Sequence, residues 1–209
     1  MTTLALDTTS AALVLIDLQR GIASGNLAPN SAADVLARAA ELADAFRQHS
    51  ALVILVRVDP GPNGELFPRP QADNPRPAFN IPPEWTELVP ELDRQPTDVV
   101  VTKHQPNAFY CTDLDVQLRR RNIRTIVLGG VATNLGVEST SRAAFERVYE
   151  QIFAVHALSA RAEGLPTPTG PPILPTVGRG RPTQGAHAAQ PARAPPPPRR
   201  SPGRRRPPV

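Results

Sequence analysis

A glycine-rich turn between a short apolar run and a helix is the stretch of this sequence best suited to bind a ligand. It lies within residues 124–142, RTIVLGGVATNLGVESTSR, where the apolar run 126–128 indicates a buried strand that Gly129 and Gly130 are predicted to end. Either Thr133 or Asn134 can cap the helix that follows. Unpaired backbone N–H groups at such a helix N-terminus can hold an anion or an oxyanion. The alternative is an ordinary strand-to-helix turn of a parallel sheet.

Two charged residues occupy the same kind of position after other predicted strands. Asp17 ends the apolar run that begins at residue 11, and Lys103 follows the run 98–102. The carboxyl ends of parallel strands share one edge of a sheet, and ligands bind at that edge. We therefore expect Asp17, Lys103 and the turn at 129–136 to form one site. The alternatives are that Asp17 caps a helix or pairs with an arginine, and that Lys103 is solvated.

Strands and helices alternate along most of the chain. Strands are predicted at 11–16, 51–58, 98–102, 124–128 and 151–155. Helices are predicted at 31–49, 112–121 and 134–149, the first capped by Ser31 and the second by Thr112. Residues 59–83 read as a long irregular excursion, followed by a short helical segment. This alternation predicts an α/β fold, a three-layer, doubly wound parallel sheet with helices on both faces.

Composition narrows the class of protein further. Cys111 is the only cysteine of the 209 residues, which excludes an internal disulfide and a cysteine-rich zinc site. We find no apolar run long enough to cross a bilayer and no signal segment, so we expect a cytoplasmic protein without membrane contact. Residues 1–163 carry 15 basic and 19 acidic side chains and show no basic stretch typical of a nucleic-acid site.

The pattern of strands and helices stops near residue 163. The remaining residues hold 14 of the 26 prolines and eight arginines, with no acidic residue after 163. We therefore expect an α/β domain at 1–162 that lacks its last helix and strand, and a disordered Pro/Arg-rich tail at 163–209. The tail is either a basic segment that contacts nucleic acid or a membrane surface, or the product of a frame-shifted 3′ end, which we favour.

Three segments of the chain form a recognisable set of motifs: LVLIDLQ at 13–19, VVVTKHQPNAFYCTDLD at 99–115 and TIVLGGVATNLGVESTSRAA at 125–144. Together they resemble the isochorismatase-like hydrolase family, which includes nicotinamidases and carbamoylsarcosine hydrolases. The match covers residues 11–161, and the order and spacing of the segments fit as well. The resemblance implies the Rossmann-like fold of that family.

In the cysteine-hydrolase branch of this family, the resemblance implies an Asp–Lys–Cys triad. Asp17 and Lys103 match the first two members, but the cysteine position is Gly136, so a thioester route is not available. Cys111 occupies a usual glycine position and is expected to be inert. Members that act on isochorismate also carry glycine there. They cleave a vinyl ether, and the aspartate is thought to protonate the enol-ether carbon.

The resemblance therefore implies a hydrolase of small vinyl ethers or amides that uses no cysteine nucleophile. Asp17 is expected to be the general acid or base, and Lys103 its electrostatic partner and a substrate ligand. Gly136 completes the catalytic set, either with its amide N–H facing an oxyanion or as a structural residue. The alternative is a non-catalytic member that binds a small molecule or builds an oligomer.

Five further residues are expected to bind the substrate: Val131, Ala132, Asn107, Phe109 and Arg57. Phe109 could equally belong to the core, as could Trp85, and Arg57 could pair with Asp59. No histidine stands near Asp59 in the sequence, so we expect no metal and no other cofactor. The expected partners are the small-molecule substrate and other copies of the chain. Nucleic acid is not expected as a partner, except through the basic tail.

Overall fold

A computed structural model of the protein describes residues 6–68, 81–161 and 174–181. Its strands are β1 Ala11–Ile16, β2 Leu27–Ala28, β3 Leu52–Val58, β4 Val99–Lys103, β5 Thr125–Gly130, β6 Glu150–Leu158, β7 Ala160–Arg161 and β8 Arg179–Arg181. Its helices are α1 Arg20–Ala23, α2 Ala32–Gln48, α3 Leu114–Arg119, α4 Glu138–Glu146 and α5 Leu174–Val177. Short 3₁₀ turns cover Pro83–Thr86 and Pro90–Leu92, and a π-helical turn covers Thr133–Val137.

Six parallel strands form one sheet in the order β4-β3-β1-β5-β6-β8. The chain builds outward from β1 to β3 and β4, then returns to the other side of β1 to add β5, β6 and β8. This is the doubly wound parallel sheet predicted from the sequence, which is thereby confirmed. The direction of winding changes between β1 and β5, which is where such sheets bind ligands. A separate two-stranded antiparallel sheet joins β2 to β7.

The central strands are buried on both faces, as their continuous apolar runs predict. All six residues of β1 are buried. Leu13 and Leu15 pack with α2 on one face, whereas Val14 and Ile16 pack with α3 and α4 on the other. The predicted helix 31–49 is confirmed as α2, and the Ser31 side chain caps it by accepting a hydrogen bond from the Asp34 N–H.

The glycine pair after residue 128 does not end its strand, contrary to the sequence prediction. Gly129 and Gly130 stay in β5 and align with Leu15 and Ile16 of β1. Gly130 has a φ of 116°, and a side chain there would overlap the Ile16 carbonyl oxygen. Glycine is therefore needed here for close approach of two backbones, and the strand pairing continues through it.

The helix predicted at 134–149 is also shorter than expected. It starts as the π-helical turn, continues as α4, and ends before Val148, which has a left-handed φ of 63°. Thr133 does not cap it, because its hydroxyl donates to the Ser159 carbonyl instead. The helix predicted at 112–121 likewise shortens to α3, although the Thr112 hydroxyl still accepts the Leu114 N–H.

The prediction that no helix or strand follows residue 163 is wrong for residues 174–181. These residues form α5 and β8, and β8 pairs with β6 as the sixth strand of the sheet. A side chain at Gly178 would lie 2.5 Å from a ring carbon of Phe153, so this segment packs closely against β6. Ile152 and Phe153 are accordingly buried. The rest of the predicted tail, 163–173 and 182–209, lies outside the described residues.

None of the described helices is both long and apolar enough to cross a membrane.

Truncation tests the contribution of this last strand to stability. A chain ending at Arg181 should melt several degrees higher than a chain ending at Arg161, because only the former retains β8 against Phe153. Exposing one or two such side chains costs about 1.5–3 kcal/mol each, and each kcal/mol lowers Tm by roughly 2–4 °C at this size. Calorimetry of the two truncated proteins measures the difference. Equal melting temperatures would show that β8 adds nothing to the fold.

Candidate active site

Asp17 stands directly after β1, at the carboxyl edge of the sheet. Its backbone has a left-handed φ of 55°, and its N–H donates to the Val56 carbonyl of β3 at 2.8 Å. The strand register is therefore kept while the chain turns, and only 6% of Asp17 is exposed. A carboxylate held this deeply at a strand end is costly unless it has a partner.

That partner is Lys103, the last residue of β4. Its side chain has no exposure to solvent, and its Nζ lies 2.9 Å from Asp17 Oδ2. Nζ also donates to the Pro106 carbonyl at 2.7 Å. An ammonium group has three N–H donors, and among the described residues these two contacts use two of them. The sequence prediction that Asp17 and Lys103 lie together holds in the structure.

Burial moves both members of this pair toward their neutral forms. It raises the pKa of Asp17 from 3.8 to about 6, although the charge and hydrogen bond of Lys103 oppose this rise. Burial likewise lowers the pKa of Lys103, and the charge of Asp17 opposes that change. A carboxyl group with a pKa near 6 is present in both protonation states around neutral pH, as a general acid or base requires.

The second oxygen of Asp17 is the most informative atom of the site. Oδ1 is buried and has no hydrogen-bond partner among the described residues, whereas Oδ2 contacts Lys103. Buried polar atoms are nearly always hydrogen-bonded. An unpaired carboxyl oxygen at a strand end is therefore a candidate contact for a bound ligand.

Gly136 lies against the same pair. A Cβ atom at this position would stand 2.9 Å from Asp17 Oδ2 and 3.2 Å from Lys103 Nζ. The Gly136 carbonyl accepts a hydrogen bond from the fully buried Thr140 hydroxyl, which in turn accepts the Ala108 N–H. Thr140 therefore ties the turn to the segment that follows Lys103. The three residues predicted as catalytic are thus within contact distance of one another.

Val131 and Ala132 connect β5 to this turn. The Val131 N–H donates to the Ile16 carbonyl, next to Asp17, and the peptide bond between Val131 and Ala132 is cis. Val131 is fully buried, whereas Ala132 is half-buried and its carbonyl accepts the N–H groups of Leu135 and Val137. Both residues stand beside the pair, as the sequence predicted.

Asn107 and Phe109 differ in their placement. Asn107 follows Pro106, whose carbonyl contacts Lys103, and its side-chain oxygen accepts the Phe109 N–H. The Phe109 ring is buried and stacks on Tyr149 with centroids 5.8 Å apart. Tyr149 precedes β6 at the amino edge of the sheet, so Phe109 points into the core. For Phe109 the core alternative raised from the sequence is the one observed.

Arg57 lies on the opposite face of the sheet from the Asp17–Lys103 pair. It aligns with Thr102, not with Lys103, and its Nε donates to the Thr102 hydroxyl at 3.0 Å. Successive side chains of a strand point to opposite faces, so Arg57 and Lys103 cannot meet. The predicted role of Arg57 in substrate binding is therefore not supported by its position. The expected ion pair with Asp59 is not among the ion pairs of the described residues either.

The other candidates from the sequence, Trp85, Cys111 and Asp59, each have their own surroundings. The Trp85 ring packs against Gly21, where a side chain would overlap it. Cys111 is exposed, outside the pair. His104 does lie near Asp59 in space, with Nδ1 2.6 Å from the Asp59 carbonyl oxygen, which the sequence did not predict. The described residues contain no cluster of three or more His, Cys, Asp or Glu suited to a metal ion.

Sequence reasoning missed three residues that hold the site in place. Pro106 supplies a carbonyl to Lys103, and Thr140 links Gly136 to Ala108. Gln19 is fully buried, and its amide binds both the N–H and the carbonyl of Val58. Only Thr140 had a sequence signal, because a threonine four residues after a helical carbonyl can bond back to it.

Comparison with known proteins identifies the family. A family model described as the isochorismatase domain matches residues 11–165. The chain belongs to the isochorismatase family. Its relatives include YwoC, an uncharacterized isochorismatase family protein of Bacillus subtilis, with 43% identity over 190 residues that cover 88% of this chain and 96% of YwoC. Another is the ureidoacrylate amidohydrolase RutB of Variovorax paradoxus, with 32% identity over 76% of this chain and 73% of RutB.

A solved structure of an isochorismatase family protein from Burkholderia thailandensis has the same fold. It superposes with a TM-score of 0.80 at 44% identity, over 88% of this chain and 96% of that one. The family resemblance seen in the sequence is therefore confirmed, and so is the fold that it implied.

The titration of Asp17 should appear in the stability of this isochorismatase-family chain. Because its pKa is raised in the folded state, its stabilising contribution is complete below pH 3.8 and is lost as the pH rises through about 6. Urea unfolding between pH 4 and 7 should show a decrease on the order of 2–3 kcal/mol from this group. Asp17→Asn should lack that decrease, whereas Asp113→Asn, at an exposed carboxyl, should keep it. Identical pH profiles for Asp17→Asn and the unmodified chain would contradict the assignment.

A cysteine placed at position 136 reports on the geometry directly. In a Cys111→Ser background, the Gly136→Cys thiol should have a lower pKa than a Gly25→Cys thiol, because Lys103 Nζ lies 3.2 Å from the new Cβ and Gly25 is exposed. Ultraviolet thiolate absorbance gives the two pKa values, and iodoacetamide gives the two reaction rates. A Gly136→Cys thiol that titrates and reacts like the Gly25→Cys thiol would refute the proximity of position 136 to the pair.

Proposed function

We propose that this protein hydrolyses a small carboxylate-bearing vinyl ether, with Asp17 as the general acid and Lys103 as its electrostatic partner. The observation that carries the proposal is Asp17 Oδ1, a buried carboxyl oxygen without a partner among the described residues, on a group whose pKa is raised to about 6. The group can therefore carry a proton near neutral pH and present it to a substrate.

The reaction follows from these two residues and needs no covalent intermediate. Asp17 transfers its proton to the terminal carbon of the enol ether, so that a C–H bond forms and the ether carbon becomes an oxocarbenium ion. Water adds to that carbon and returns a proton to the carboxylate. As the C–O bond of the resulting hemiketal breaks, Asp17 returns that proton to the departing oxygen and accepts the proton of the hemiketal hydroxyl, so that a keto acid and an alcohol are released. The third N–H of the Lys103 ammonium group donates to the substrate carboxylate. Val131, Ala132 and Asn107 line the site in which the substrate binds.

Gly136 supports this route over one with a nucleophile. Glycine supplies no nucleophile here, and a Cβ atom at this position would lie only 2.9 Å from the Asp17 carboxylate. The N–H groups of Thr133, Leu135 and Val137 already donate to backbone carbonyls, so the proposed route relies on Asp17 and Lys103 and not on the amides of the turn.

Amide hydrolysis is the second candidate, and a relative favours it. RutB of Variovorax paradoxus, 32% identical to this chain, is a ureidoacrylate amidohydrolase. Without a cysteine, an amide would have to be attacked by water that Asp17 deprotonates. The same pair serves both reactions, but its carboxyl acts as an acid in the first and as a base in the second.

Kinetics on both substrate classes tests the proposal. The purified chain should release pyruvate from isochorismate, and Asp17→Asn should lower kcat/KM by about 10²–10⁴-fold because it removes the general acid. Lys103→Met should raise KM, and Asp113→Asn serves as the matched control with unchanged rates. A panel of ureido and carbamoyl amides runs in parallel.

The outcomes separate the candidates. Turnover of amides alone would replace the first candidate by the second. Activity that survives Asp17→Asn would refute the assigned role of this residue. A folded protein that is inactive on the whole panel would favour a non-catalytic member of the family.

A further inference from the structure

A cleft of about 600 Å³ opens on the face of the sheet opposite the Asp17–Lys103 pair. Its floor is made by Arg57 of β3 together with Val100 and Thr102 of β4, the edge strand of the sheet. The segment 87–90 and Arg94 also line it. This volume lies within the range of small-molecule sites. The cleft is thus separate from the place where the reaction is proposed.

The cleft carries positive charge that the described residues do not neutralise. Neither Arg57 nor Arg94 has a carboxylate partner within the described part of the chain. The one acidic residue of the lining, Glu87, is already bound, because its carboxylate lies 3.0 Å from Nε of Arg20. Two guanidinium groups therefore border the cleft without a counter-charge from residues 6–68, 81–161 or 174–181.

The donors of the cleft are also partly oriented. Arg57 is half-buried, and its Nε donates to the Thr102 hydroxyl at 3.0 Å. This bond orients the guanidinium, and its two terminal nitrogens have no hydrogen-bond partner within the described ranges. Such a fork can bind two oxygens of one acidic group. Because the Thr102 oxygen accepts from Arg57, its own proton is left to donate to a bound oxygen.

We propose that this cleft is a second binding site, which takes a small anion with phosphate or carboxylate groups between Arg57 and Arg94. The alternation of β4 separates it from the reacting pair, because Thr102 points into the cleft and the next residue, Lys103, points to the other face. The proposed site does not depend on the proposed hydrolysis, and the binding experiment tests it separately.

Calorimetric titration of the full chain with inorganic pyrophosphate and, separately, with citrate tests the site and distinguishes its two ligand chemistries. Each should bind saturably if its acidic group suits the cleft. The double variant Arg57→Met/Arg94→Met should weaken binding by about tenfold or more, because it removes both charged donors of the cleft. If only pyrophosphate binds the unmodified chain and the double variant loses that binding, the ligand is phosphorylated. If only citrate behaves in this way, the ligand is a polycarboxylate, and if both do, the site accepts either acidic group.

The matched control removes the same charge elsewhere. Arg120→Met/Arg124→Met changes two exposed arginines at the amino edge of the sheet. Both double variants keep every arginine of residues 182–209, so a difference in binding between them cannot arise from that segment. Equal binding by the two double variants, or no saturable binding of either anion to the unmodified chain, would overturn the proposal. Val100→Trp fills the cleft without changing its charge and should also abolish binding, so the test holds even if the arginine variant folds poorly.

Discussion

Asp17 and Lys103 form an ion pair almost without access to water, and the rest of the site is arranged around that constraint. Removing one partner of such a pair typically costs about 3–5 kcal/mol, a large part of a total stability of about 5–15 kcal/mol. The sheet provides what the pair needs. Two strand ends bring the opposite charges within 2.9 Å, and the Pro106 carbonyl accepts a hydrogen bond from the same ammonium group.

The backbone is closely packed around the pair. Position 136 lies directly against Asp17 and Lys103, and Gly130 lies against the backbone of Ile16, so side chains at either place would occupy the space of neighbouring atoms. Thr140 then joins the two segments that enclose the pair through one hydroxyl. Burial by close backbone packing raises the pKa of Asp17 and leaves its Oδ1 without a partner among the described residues. The proposed acid catalysis depends on these two properties.

The alternation of side chains along β3 and β4 divides the charged residues of this edge into two groups. Lys103 faces the reacting pair, whereas Arg57 and Thr102 face the cleft on the other side. A single step along a strand therefore decides whether a basic residue serves the proposed reaction or the second site. The same alternation accounts for the two separate halves of the core, one under α2 and one under α3 and α4.

Much of this architecture can be predicted from the sequence, because its signals are local. Continuous apolar runs predict the central strands, helical spacing and Ser31 predict α2, and three motifs indicate the family. Strand ends at Asp17 and Lys103 predict a shared site, since parallel strands end at one edge. The residue type at position 136 is enough to exclude a cysteine nucleophile there, because glycine has no side chain.

Other features depend on contacts between distant parts of the chain, and only the tertiary structure decided them. Gly130 has the residue type of a strand breaker, yet the backbone of β1 keeps it in the sheet. Residues 174–181 lack a pattern typical of a strand, yet the free edge of β6 gives β8 its hydrogen bonds. The face to which Arg57 points depends on its register with Thr102, and the surroundings of Asp17 Oδ1 depend on every group packed around it. Register and burial are properties of neighbours in space, which the order of residues along the chain does not specify.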